Sequence, residues 1–515
     1  MRSEEKGNVK NSVGRLIFGA LSFVIQTLWI VFLFVRLNEY STIISGITTV
    51  LAFMLVFHIY GKPDNAAFKM PWIILIFMFP ILGVCIYGLF GHKRATKKVR
   101  ERFCDVHGKL AVYMKQDDSV IKELETQDFG AANQFRYLSV QESYPVYSDT
   151  DVIFYKEASD GFEAQLAALE KAESYIFMEY HAIEEAEAFE RLYDVLKRKA
   201  EAGVEVRVLY DDVGSVGFVN FDFIKRMQES GIQCKVFNPV LPVLQIFMNN
   251  RDHRKITVID GKVGFTGGYN LADEYFNLTH PYGYWKDTGV KLTGGAVKSL
   301  LAMFLEMWDS IGKENEDISV YFDNCNVVSD KKADGFIAAY ADSPLDDNYV
   351  GENVYLNLIK YAKHYVYITT PYLIISDEMN RELTLAAKRG VDVRIVTPGI
   401  PDKKIIYRVT RSYYGRLASA GVKIYEYTPG FVHAKQMLAD GNMAVVGTIN
   451  MDYRSLYHHF ENAVLMCGFE ELSKLREDFE ETFAVSEEVT SKYQKNRYVV
   501  LRGLDTVLRL IAPLL

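Results

Sequence analysis

The chain has 515 residues, with 58 basic against 66 acidic side chains and a formal net charge of −8. That length exceeds one ordinary domain and suggests two or three, while the negative balance argues against a nucleic-acid partner, whose proteins carry a basic stripe. The five cysteines, Cys85, Cys104, Cys234, Cys325 and Cys467, form no paired spacing, so neither a disulfide framework nor a structural zinc site organises the chain, and a reducing compartment fits best.

Residues 1–15 are polar and mixed in charge, and three apolar stretches follow, Leu16 to Val35, Ser41 to Tyr60 and Pro71 to Phe90. Each is long enough for a helix to cross a hydrocarbon core, which takes about 20 residues. Their length and number do not fit a cleaved signal peptide. Residues 1–92 are therefore expected to form a multi-pass membrane region with two to three transmembrane helices, at about 16–35, 41–60 and 71–90, with Trp29, Tyr40, Tyr60, Trp72 and Tyr87 as interfacial anchors. The cluster Lys93, Arg94, Lys97, Lys98, Arg100 and Arg102 belongs on the cytoplasmic side, which places the rest of the chain at the cytoplasmic face of the cell membrane. Arg2, Lys6, Lys10 and Arg15 pull the other end to the same side. Either the first stretch lies in the interface or in a re-entrant pair, or that weaker signal yields.

A basic juxtamembrane segment and linker is expected over 93–146, its part from Val106 to Val146 forming a helix and a loop. The chain then repeats itself. Ala202-Gly203-Val204-Glu205-Val206-Arg207-Val208-Leu209 matches Arg389-Gly390-Val391-Asp392-Val393-Arg394-Ile395-Val396, a glycine helix stop followed by an alternating strand. Ser230 to Phe237 matches Ala420 to Tyr427 in the same way, and helical patterns at Ala186 to Glu201 and Asp377 to Lys388 complete strand-helix-strand units. A duplicated α/β domain is expected, with halves at 147–325 and 326–490. The apolar residues between Pro239 and His253, Val240 to Met248 among them, have no counterpart in the second half; they either contact lipid or pack on their own domain. The tail 491–515 reads as an amphipathic helix, interfacial or docked.

Each half carries one motif. The first runs His253, Lys255, Asp260, Gly267, Gly268, Asn270, and the second His433, Lys435, Asp440, Gly447, Thr448, Asn450, with the same intervals. Alternate residues of a strand share a face, so each histidine is set beside its lysine. Two histidines and two lysines from equivalent places suggest one composite site at a pseudo-twofold axis. A phosphodiester suits it: one imidazole attacks phosphorus to give a phosphohistidine, the other donates and then accepts a proton, and the lysines with Asn270 and Asn450 hold the phosphate. Asp260 and Asp440 belong to the repeated motif and count with it as catalytic, although aspartate before glycine is also the usual hairpin-turn choice. Asp287 and Glu461 occupy equivalent places downstream, each able to orient one imidazole. No carboxylates and histidines have metal-ligand spacing, so no metal or other cofactor is expected.

The paired motif resembles the signature of the phospholipase D superfamily. With the N-terminal apolar stretches, Gly268, the run Asn450-Met451-Asp452-Tyr453-Arg454-Ser455 and the end Pro513-Leu514-Leu515, the chain looks like the bacterial cardiolipin synthases. The resemblance implies two mixed-sheet α/β halves behind membrane helices, and transfer of a phosphatidyl group from one phosphatidylglycerol to another, giving cardiolipin and glycerol without a metal. It implies His253 as nucleophile and His433 as acid, then base; the symmetry of the motifs leaves the reverse open. The alternative is a phospholipase D or transphosphatidylase that uses water or another alcohol.

Overall fold

A computed structural model describes residues 42–62, 65–91, 97–220, 222–239, 250–312, 317–323, 325, 333–346, 348–494 and 499–514, with isolated positions between 21 and 35. The expected span at 16–35 is thus described only at isolated positions, and the inserted apolar run from Val240 to Met248 lies outside the described residues.

The second apolar stretch forms one helix, Thr42–Tyr60. The third does not. Helix Ala66–Met78 stops at Phe79, and a new helix, Pro80–Phe90, starts with a proline that cannot extend the one before it. The two pieces fold against each other so closely that a Cβ on Gly83 would stand 2.6 Å from the Ile76 Cα. The expected single span at 71–90 is corrected to two short helices. Among the described residues, no helix is long and apolar enough to cross a membrane. Ala52, Ile59, Ile76 and Tyr87 form a small core of their own, while Val50, Phe53, Met54, Phe57 and Met78 stay exposed.

Phe68 ties this region to the rest of the molecule. Its ring meets Tyr453, Tyr457 and His458 at 5.3, 5.1 and 5.2 Å. Residues expected as a helix and loop form helices Lys97–Leu110, Asp118–Gln127 and Phe129–Arg136. They are not a bare linker, because Ile121, Leu124, Ala131, Ala132 and Phe135 enter the core of the second half. Apolar residues at intervals of three and four put one face of each helix inward, which is how a polar-looking segment packs. At the other end, helix Val499–Ile511 docks on helix Lys404–Ser419, Arg509 donating to the Ser412 hydroxyl at 3.2 Å.

The first half is built on strands β1 (Thr150–Tyr155), β2 (Tyr175–Tyr180), β3 (Glu205–Asp211), β4 (Gln233–Phe237), β5 (Lys255–Ile259), β6 (Val263–Gly267) and β7 (Gly289–Gly294). Their order in the sheet is β1-β7-β6-β5-β2-β3-β4. The second half uses β8 (Phe336–Asp342), β9 (Tyr365–Thr369), β10 (Asp392–Pro398), β11 (Lys423–Tyr427), β12 (Gln436–Ala439), β13 (Met443–Gly447) and β14 (His459–Cys467), in the order β8-β14-β13-β12-β9-β10-β11. The two orders are the same, apart from the short strand Ser486–Glu488 that pairs with β11 at the edge of the second sheet. In both sheets the three strands joined through helices run parallel and the others antiparallel, since a parallel neighbour needs a crossover and a hairpin does not. Phe177, Val258 and Leu292 of one sheet share a core with Ile337, Leu438 and Val464 of the other, so the halves pack face to face.

Candidate active site

Each motif histidine stands just ahead of a buried hairpin, β5-β6 or β12-β13. What positions it comes from the other half. Arg251-Asp252 pairs in parallel with His459-Phe460, and Tyr284-Lys286 pairs in parallel with Gly430-Val432. The His253 amide therefore donates to the Phe460 carbonyl at 2.8 Å, and the His433 amide to the Lys286 carbonyl at 2.7 Å. The next residue along each acceptor strand is a carboxylate. His253 Nδ1 lies 2.9 Å from Glu461 Oε2, and His433 Nδ1 lies 2.6 Å from Asp287 Oδ2. The carboxylates expected to orient the imidazoles do sit beside them, each serving the histidine of the opposite half. Thr288 and Asn462, the residues that follow, cross the same boundary to Gln436 and Thr266, at 2.9 and 2.8 Å.

Both lysines lie against their histidines. Lys255 Nζ donates to the His253 carbonyl at 2.6 Å, and Lys435 Nζ lies 2.7 and 2.9 Å from the two ring nitrogens of His433. Burial pushes Lys255 down to about 8 and Lys435 down to about 7, with Glu461 and Asp287 as the main opposing influences. His253 is held well below the ordinary histidine range by burial, then by Lys255, His181, His459 and Lys435. His433 is lowered to about 4 by burial and Lys435, against the pull of Asp287. Lys435 acts on His253, and Lys255 acts on His433. The two motifs share one electrostatic site.

The carboxylates differ. Burial pushes Asp287 up, but His433 and Lys435 outweigh it and hold the carboxyl below its ordinary value. Glu461 is raised well above its own by burial, Lys255 opposing. Glu461 Oε2 accepts from the Thr448 hydroxyl at 2.5 Å. At the equivalent place Gly268 leaves room for the shorter acid, because a Cβ there would lie 2.0 Å from Asp287 Oδ1. Glycine with aspartate and threonine with glutamate fill the same space in two ways.

Asp260 and Asp440, expected as catalytic with the motifs, stand apart from the histidines and lysines. Each lies at the hairpin turn with positive φ, 53° and 52°, about 16 Å along the strand from its lysine. Asp260 accepts from the amides of Glu173, Ser174 and Tyr175, and Asp440 from those of Lys363, His364 and Tyr365. Three amide donors fill three of a carboxylate's four or so acceptor sites and fix the start of a neighbouring strand. The asparagines also part company. Asn270 accepts from the Ala182 amide and donates to the Tyr275 hydroxyl at 2.7 Å, while the Asn450 side chain makes no hydrogen bond among the described residues.

Sequence reasoning missed the groups that flank the histidines. His181 and His459 stand 4.8 and 5.5 Å from the His253 ring, whereas Trp285, Tyr275 and Phe431 stand 5.3, 5.2 and 5.9 Å from the His433 ring. Only the equivalence of Trp285 with His459, two places before each carboxylate, was legible as a signal. Among the described residues, His253, His459 and Glu461 have the donor types of a metal site, with ligand atoms within 4.8 Å of one another. His458 turns away to pack on Phe68.

The family model described as "Cardiolipin synthase, PLD-like domain" matches residues 166–308 and 355–483, and the one described as "Phospholipase_D-nuclease N-terminal" matches 50–92. An uncharacterised protein of Streptococcus mutans is 42% identical over 86% of this chain and 96% of its own length. A cardiolipin synthase of Alkalihalophilus pseudofirmus is 30% identical over 98% of this chain and 100% of its own. Among solved structures, phosphatidylserine synthase of Haemophilus influenzae superposes with a TM-score of 0.55 at 14% identity, covering 71% of this chain and 95% of that one; the likeness is one of fold.

Proposed function

This chain belongs to the cardiolipin synthase family with its phospholipase D-like domain, and from that premise we propose that it is a phosphatidyltransferase that joins two molecules of phosphatidylglycerol into cardiolipin and glycerol. The observation that carries the reading is the crosswise pairing of His253 with Glu461 and of His433 with Asp287, which ties each motif histidine to a carboxylate of the other half.

In this reading His253 is the nucleophile. Glu461 Oε2 already accepts from Thr448, so it also takes the Nδ1 hydrogen of His253 and leaves the Nε2 lone pair free. Nε2 attacks phosphorus, the bond from phosphorus to the head-group glycerol oxygen breaks, and that oxygen takes a proton from His433. The arriving phosphate anion raises His433 so that it carries this proton, and the ionised Asp287 stabilises the imidazolium. A glycerol hydroxyl of the second lipid then returns a proton to His433 and attacks phosphorus as the phosphorus–nitrogen bond breaks. Lys255, Lys435 and the uncommitted amide of Asn450 hold the non-bridging oxygens, and Asn270 acts through Tyr275. The apolar stretches, the exposed Val50, Phe53 and Phe57, and the basic cluster from Lys93 to Arg102 support a place at the cell membrane with the catalytic halves on the cytoplasmic side.

The test is to give the detergent-purified chain phosphatidylglycerol alone, with a chelator present, and identify products by mass spectrometry. Cardiolipin with an equal amount of glycerol, abolished by His253→Ala, is expected. Phosphatidic acid as the main product would replace this reading with a phospholipase.

A further inference from the structure

The two sides of the reaction centre are not alike, and the His253 side holds metal-ligand donors that the chemistry above does not use. His459 and Glu461 are alternate residues of β14, so their side chains share the face of the strand that meets His253. His459 Nδ1 lies 3.6 Å from Glu461 Oε1, and His253 Nδ1 lies 2.9 Å from Glu461 Oε2. One donor atom from each of the three residues lies within 4.8 Å of the others. Several of these donors are idle. Both ring nitrogens of His459 and Oε1 of the wholly buried Glu461 have no hydrogen-bond partner among the described residues, although buried polar atoms are as a rule hydrogen-bonded.

Idle nitrogen and carboxylate donors at this spacing fit a late first-row divalent ion. Zinc takes nitrogen and oxygen at about 2.0–2.2 Å, and two histidines with a glutamate are a known donor set for it. At those lengths the donors of a tetrahedral ion stand about 3.3 Å apart, between the 2.9 and 3.6 Å found here. Two imidazoles select against magnesium and calcium, which take oxygen. The opening that admits a lipid phosphate to His253 in the proposed reaction also admits a hydrated ion. Lys255 and Lys435 act on His253 and weaken the hold on a cation, so the ion is reversibly bound and not resident. On the other side Trp285 stands at the place equivalent to His459, and the second motif lacks the donors.

We propose that His253 Nδ1, His459 and Glu461 form a zinc site whose ion holds the enzyme inactive. The inactivation rests on the reading of His253 as the nucleophile; the binding does not. In the active form Glu461 holds the Nδ1 hydrogen of His253 and Nε2 keeps its lone pair. Zinc takes the Nδ1 lone pair instead: Nδ1 gives its hydrogen to solvent, Nε2 takes one up, and Glu461 binds as the carboxylate. An N–H then stands where the attacking lone pair was.

Calorimetric titration of the detergent-purified chain with zinc chloride reads the site without turnover. One equivalent is expected to bind, and His459→Gln to weaken it by more than about 100-fold, since loss of even an outer-shell partner costs up to about that much. His181→Gln is the control: His181 stands 4.8 Å from the His253 ring, yet its Nδ1 is committed to the Asp252 carbonyl at 2.7 Å, so this variant is expected to bind zinc as the parent does. Magnesium is expected to give no binding. Cobalt(II) in the parent chain is expected to show the visible absorption of a four-coordinate ion, a readout that needs no variant. On phosphatidylglycerol vesicles, zinc is expected to slow the parent and His181→Gln by more than about tenfold, reversed by chelator, and to leave His459→Gln at its own chelator-treated rate. No zinc bound, zinc bound equally by the parent and His459→Gln, or an equal loss in His181→Gln overturns the site. Zinc bound as expected with no change in rate overturns the inactivation. Failure of the catalytic reading shows instead as no lipid product even with chelator, and the titration then decides the site alone.

Discussion

The surroundings of His253 and of His433 differ more than the motifs that contain them. His253 is flanked by two imidazoles and served by a glutamate that burial drives toward its neutral form; His433 is flanked by Trp285, Tyr275 and Phe431 and served by an aspartate that stays ionised. Duplication supplied two equal reacting groups at a twofold axis. Their neighbours have diverged, and the divergence lets one ring remain neutral to attack while the other is backed by a charge that can support a proton. A twofold site can thus run an asymmetric reaction without any change in the motif itself.

The sharpest way to break this comparison is to treat the two carboxylates alike. Asp287→Asn removes the charge behind His433 and is expected to lower kcat by about 10⁴-fold, the loss seen when a triad aspartate is neutralised. Glu461→Gln keeps an acceptor for the His253 Nδ1 hydrogen and removes a charge that burial already suppresses, so a loss of about tenfold or less is expected. Steady-state kinetics on phosphatidylglycerol vesicles measure both; equal losses would return the two histidines to equivalence.

The lysines sharpen the comparison through pH. Burial lowers Lys435 to about 7 and Lys255 to about 8 in the free protein, and a bound phosphate raises both. A group whose value rises on binding contributes fully below its free value and less above it. The contribution of the two lysines to KM for the lipid is therefore expected to be flat below pH 7, to climb by about tenfold per pH unit between 7 and 8 and by about a hundredfold per unit above 8, until the bound-state values are reached. Lys435→Arg, which stays charged, should move the start of the climb from about 7 to about 8. A KM that does not change between pH 6 and 9 would show that neither lysine titrates in the free site.

Much of this was legible from spacing. The repeat, the glycine stops before β3 and β10, the helix at Asp377–Lys388, and the equivalence of Asp287 with Glu461 all follow from local pattern. What spacing cannot show is which half serves which histidine, because that depends on the parallel pairing of Arg251-Asp252 with His459-Phe460 and on its partner across the axis. The flanking rings were hidden for the same reason, since His181 and His459 approach His253 only after both sheets pack. Pro80 was read as one apolar residue of a span, yet its missing N–H makes it the point where the chain turns back. In the segment before β1, polar residues on the exposed faces obscured helices whose inner faces belong to the second half's core.

Asp260 and Asp440 provide the control for the whole comparison, because here the halves are alike and the motif aspartates stand away from the chemistry. Replacing either by alanine removes a carboxylate that accepts three backbone amides. The expected cost is about 2–4 kcal/mol of stability, read as a lower unfolding temperature, with kcat per folded molecule within about twofold of the parent. The amides that meet Asp260 are the more buried, so Asp260→Ala should cost more than Asp440→Ala. A large loss of kcat in well-folded protein would put these aspartates back in the reaction. A loss confined to stability would mean that the repeat keeps them to hold the hairpin, so the interval from histidine to aspartate in the motif marks the length of a strand and not the reach of a catalytic group.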